Sequence, residues 1–212
     1  MNDKTGRVLR IVFIVLMGIT AAVNILGGVG TTCAAFLTQN FPSMGKILPL
    51  QWLYQLFVIV TTAIGIAGVV YTVFLAKGKR KSFNASLIVL AAGSVIGVIH
   101  IIASRSLRGS AAPADMVTYV NIITLVLGLF ILIPRVRSHV HFTKDAKKND
   151  KNTSAGISAF AAGAATLTVP FWVGGTHLDS WIAVLQTPIL LVGAGLVLLG
   201  LVLLARGAKA TV

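Results

Sequence analysis

"NASLIVLAAGSVIGVIHIIAS", residues 84–104, holds 21 residues and a single ionisable side chain, His100. A helix of about 20 apolar residues is long enough to cross a bilayer. The stretch does not alternate between apolar and polar residues, as a strand of a membrane barrel would. "KGKRK" (77–81) precedes it, and Arg105 and Arg108 follow. It therefore reads as a membrane helix with charged ends.

Working outward, five more apolar runs appear, giving six at 8–30, 52–76, 84–104, 117–134, 156–173 and 182–205. The fifth is rich in Ala and Gly. Of the 212 residues 56% are hydrophobic and only 11% charged, with a mean hydropathy of +0.91. A soluble domain carries about 25% charged residues. The expected fold is all-α, with residues 1–212 forming one integral membrane domain, a bundle of about six transmembrane helices. The first run is too long for the h-region of a cleaved signal peptide, about 7–15 residues.

The net charge of +13 does not point to nucleic acid, because the positive residues sit in short segments between apolar runs. Fifteen of the 18 Lys and Arg fall in 1–10, 77–81, 135–151 and 206–209. Under the positive-inside rule these segments and both termini are cytoplasmic, which requires an even number of spans. A cell membrane location follows, with membrane lipids as neighbours. The segment "RSHVHFTKDAKKNDKNTSAG" (137–156) reads as a solvated, partly mobile linker, with His139 and His141 at the surface.

The chain has no Glu, and Asp3, Asp115, Asp145, Asp150 and Asp179 all fall in expected loops or termini. Cation-coupled transporters place carboxylates within the membrane, so their absence counts against that class. The single Cys33 excludes an internal disulfide and a thiol-exchange pair.

Small and weakly polar residues recur in the spans at helical spacing. Thr20, Asn24, Gly28 and Thr31 share one face, and Thr61, Gly65, Gly68 and Thr72 another. Ser86, Gly93, Gly97, His100 and Ser104 follow in the third span, and Thr118, Asn121, Thr124 and Gly128 in the fourth. Such faces let helix backbones approach closely. The alternative use is a narrow polar path lined by Asn24, Asn121 and Gln186.

On the outer side, "TTCAAFLTQNFPSMGKILPLQ" (31–51) is long and apolar for an exposed loop. It lies in the interface, folds over the bundle, or is covered by a protein partner. Pro134 stops the fourth span. Pro170 and Pro188 loosen the outer ends of the fifth and sixth, between which Trp172 and Trp181 form an aromatic belt.

His100 lies in the outer third of its span, and if the helix continues it shares a face with Ser104 and Arg108. With Arg105, these three are the candidate ligand-binding residues. The expected state of His100 is a buried, neutral imidazole bonded to Ser104 or to another neighbour. His100, His177, Asp179 and Cys33 are the alternative, as a metal or haem site, and a quinone is a further partner for His100. The segments 52–79 and 181–209 are similar, and align without a gap from Trp52 through "LAKG" (52–78) and from Trp181 through "LARG" (181–207). The leading functional expectation is a non-enzymatic subunit of a larger membrane complex. The rivals are a small transporter or channel for a neutral or anionic solute, and a membrane redox protein using His100. No cofactor is specified.

Overall fold

The computed structural model describes residues 3–40, 42–79, 81–142, 148–169 and 179–208. Among the described residues, seven α-helices carry the fold: α1 (Asp3–Phe36), α2 (Gln51–Ala76), α3 (Ser82–Arg108), α4 (Ala114–Leu132), α5 (Pro134–Arg137), α6 (Lys148–Leu167) and α7 (Asp179–Ala208). Two short 3-10 helices, Thr38–Asn40 and Pro42–Leu50, join α1 to α2. No strand occurs among the described residues. Among the described residues, five segments are long and apolar enough to cross a membrane: Lys4–Phe36, Met44–Ala76, Ser82–Arg108, Ala114–Leu132 and Gln186–Ala208. The chain is thus an all-α membrane bundle.

The fifth expected span, 156–173, falls largely in α6. This helix is not among the five, because Ala, Gly, Ser and Thr fill it in place of larger apolar residues. Its neighbours cover it instead. Ser158 packs against Gly18 of α1, while Gly156 and Gly163 meet Gly200 and Gly193 of the antiparallel α7. Residues 170–178, with Pro170, Trp172 and His177, lie outside the described residues, as do the side chains of Asp179 and Trp181.

Close backbone approach holds α1 to α2. A Cβ on Gly65 would lie 2.8 Å from the Ile25 nitrogen, and one on Gly68 would lie 2.9 Å from Ala21 Cβ. The stripe of small residues on α2 thus forms a helix–helix seam. Short turns then reverse the chain. Gly78, at φ +69°, takes the left-handed conformation that ends α2, and Gly109, at φ +73°, does the same after α3. The Gly109 N–H bonds the Arg105 carbonyl, the usual way a helix closes on glycine. Pro134 opens α5 at the first helical position after an extended Ile133, so the fourth span stops there as expected.

Two apolar clusters cap the bundle. At the end carrying the basic segments, Phe13, Met17, Leu75, Phe83, Leu90 and Ile131 pack together. At the opposite end Ala34, Ala35, Ile47, Tyr54 and Phe57 do so.

Two expected loops are more ordered than the sequence suggested. The connection between α1 and α2 is shorter than the expected 31–51, because α1 continues through Phe36, and Cys33, Ala34 and Ala35 are buried. Its remainder folds over the bundle, with Ile47 fully buried as the anchor. The expected linker is likewise pinned at its start. Val136, Val140 and Phe142 are buried, Phe142 stacking on Phe83 at 4.8 Å. Arg137 lies 4.3 Å above the Phe83 ring, and burial pushes its guanidinium below its ordinary pKa. From Lys148 onward the linker is the first turns of α6.

Candidate functional site

Between the apolar clusters, α1, α2, α3 and α4 bring their small and polar faces together. Asn24 and Thr31 come from α1, Thr61 from α2, Gly93, Gly97 and His100 from α3, and Thr118 from α4. They line a cavity of about 10 Å³. A space of that size holds about one water molecule.

These polar side chains are spent largely on their own helices. Asn24 Nδ2 donates to the Thr20 carbonyl (2.7 Å), and Asn121 Nδ2 to the Val117 carbonyl (2.8 Å). Thr31 and Thr118 bond the Gly27 and Ala114 carbonyls in the same i−4 manner. Within a bilayer this satisfies a polar group without an external partner. One turn from the cavity, the Thr20 and Thr124 hydroxyls lie 2.7 Å apart, tying α1 to α4.

One acceptor is left over. Asn121 is fully buried, and its Oδ1, which lies against Gly93, has no hydrogen-bond partner. Buried acceptors are nearly always satisfied. A single polar ligand of water size beside Gly93 would have this oxygen to donate to. Of the expected polar path, Asn24 lines the cavity and Asn121 lies against Gly93, which lines it too. Gln186 is exposed on α7.

His100 is 6% exposed and lies at the outer edge of the cavity. Its ring stacks on Phe57 at 4.2 Å and meets the edge of Tyr54 at 5.7 Å. The expected bond to Ser104 is absent, because the Ser104 hydroxyl lies 3.1 Å from the Tyr54 hydroxyl instead. Among the described residues the imidazole is held by ring contacts alone. The other two candidates make no hydrogen bond to it. Arg105 is exposed, and Arg108 donates to the Ala112 carbonyl (3.0 Å), fastening the connection between α3 and α4.

Among the described residues no three His, Cys, Asp or Glu side chains gather as metal ligands would. Cys33 is buried in α1. The sequence reading missed Tyr54 and Phe57, which hold His100. A signal existed: the two aromatics are spaced by three on α2 at the depth of His100. Comparison with family models, curated proteins and solved structures finds no match for the chain.

Proposed function

We propose that the chain is a non-enzymatic integral membrane protein acting as a subunit or partner of a larger membrane assembly. In this reading it is a multi-pass protein of the cell membrane, with both termini and the basic segments cytoplasmic. The partition of Lys and Arg supports that orientation.

The observation that carries the reading is the apolar cap on the outer end. Ile47 anchors it, yet Phe36 is 55% exposed, Leu48 45% and Trp52 60%. Trp52 suits a membrane interface. Phe36 and Leu48 flank a segment that lies over the bundle, and burying them against a partner's apolar surface would stabilise contact. The interior supports the reading too, because its polar groups are committed to helix packing.

Native mass spectrometry of gently solubilised protein tests this. The expected result is a second protein at fixed stoichiometry, lost from the variants Phe36→Asp and Leu48→Asp. A chain that carries only lipid, or a partner indifferent to both substitutions, would contradict it.

One observation favours a second reading, a carrier or channel for a small neutral or anionic solute. The unpaired Asn121 Oδ1 lies against Gly93, which lines a cavity of water size. Solute flux into proteoliposomes, abolished by Asn121→Leu, would support that reading over the first.

A further inference from the structure

A second cavity is larger than the polar one. A groove of about 290 Å³ runs between the α1–α2 pair and the α6–α7 pair. Small residues make it: Gly18 and Ala22 on α1, and Ala155, Ala159 and Ala162 on α6. Larger side chains at these positions would fill the gap. Val69 and Val73 of α2 and Val192 and Leu199 of α7 line it with exposed side chains, so it opens sideways between those helices.

Its chemistry excludes water as a comfortable occupant. Three hydroxyls line it, and each is already committed to a backbone carbonyl. Thr72 donates to Gly68 (2.8 Å), Thr166 to Ala162 (2.8 Å), and Ser158 to Ile14 (3.4 Å). Water needs two to four polar partners, and the remaining lining is hydrocarbon. The groove opens along helices apolar enough to cross a membrane, where the surrounding solvent is acyl chain.

One end of the groove is positively charged. Ala76 lines it there, and the Arg10 guanidinium donates to the Ala76 carbonyl (3.5 Å). Lys77 follows directly and is exposed. Arg206 lies three residues beyond the lining residue Leu203 on α7, and Lys151 one turn before Ala155 on α6. All four helices that build the groove thus bring a cation to the same end.

We propose that this groove binds one acyl chain of an anionic phospholipid, whose headgroup is held at the basic end by Lys77, Arg206 and their neighbours. Apolar lining selects the chain, and the ring of cations selects the headgroup charge. Binding of this kind requires no protein partner, so it stands or falls apart from the subunit reading.

The test uses the full chain, stripped of lipid in detergent and offered dioleoyl phosphatidylglycerol or dioleoyl phosphatidylcholine. The two share acyl chains and differ in headgroup charge. Native mass spectrometry then counts retained lipid. One phosphatidylglycerol per chain is expected, preferred over phosphatidylcholine by about tenfold, given two to three nearby cations. In the double variant Lys77→Gln/Arg206→Gln the two lipids should be retained about equally. Ala159→Phe, which fills the groove, should reduce retention of both. Equal or absent retention of the two lipids by the unaltered chain would overturn the proposal. So would a preference that survives the double variant, or phosphatidylglycerol retention untouched by Ala159→Phe. Should Ala159→Phe fail to fold, the exposed charge variants still decide the matter.

Discussion

Gly97→Ala sets two opposing effects against each other in one helix. Replacing glycine by alanine inside a helix gains about 1 kcal/mol of intrinsic propensity. At Gly97 the new methyl would lie 3.0 Å from both Cβ and Cγ2 of Thr118, and closer still to its Oγ1. Rotating Thr118 does not clear the clash, because Cβ itself is too near and the hydroxyl is bonded to the Ala114 carbonyl (2.6 Å). Overpacking of this kind costs about 1–3 kcal/mol. The net expectation is a loss of about 1 kcal/mol, rising toward 3 kcal/mol for Gly97→Leu. Gly195 on α7 is the matched control, since nothing lies within 4 Å of a Cβ there. Gly195→Ala should leave stability unchanged or raise it by up to about 1 kcal/mol. Reversible unfolding in mixed micelles, followed by helical circular dichroism, measures all three variants. Gly97→Ala matching Gly195→Ala would refute the close contact of α3 with α4.

Three further outcomes are expected. A double-mutant cycle on Thr20→Val and Thr124→Val should give a coupling of about 0.6 kcal/mol, typical of hydrogen bonds between membrane helices; zero coupling would mean the hydroxyls do not meet. Arg137→Ala removes the cation above Phe83 and should cost about 0.5–2 kcal/mol, whereas Arg135→Ala, at an exposed position, should cost nothing measurable. His100→Gln should leave the protein folded with a loss of about 1 kcal/mol from the stack on Phe57; stoichiometric metal or haem lost specifically in this variant would instead establish a redox role.

The polar seam was legible because spacings of three and four place Thr20, Asn24 and Thr31, or Thr118, Asn121 and Thr124, on one side of a helix regardless of tertiary context. Which faces meet was not legible. Gln186 obeys the same spacing as Asn24 and Asn121, yet its helix packs elsewhere. Isolated anchors were also hidden. Val140 and Phe142 sit among polar residues, where a lone apolar side chain has no period to reveal it. The charged run at 148–151 reads as solvated linker because α6 takes its cover from other helices rather than from its own composition. The groove between α2 and α7 arises from small residues on α6 that look, in sequence, like any Ala-rich helix. Ser104 was paired with its chain neighbour His100, because local spacing cannot see Tyr54 arriving from α2.

Orientation across a membrane is the claim on which the rest depends, and cysteine labelling tests it most directly. In a Cys33→Ser background, Lys79→Cys and Ser110→Cys each place one thiol at an exposed position on either side of α3. An impermeant maleimide added to intact cells should label position 110 at once, and position 79 only after the membrane is opened. Labelling of position 79 in intact cells, or of both positions alike, would contradict a membrane-crossing α3 with its basic end inside.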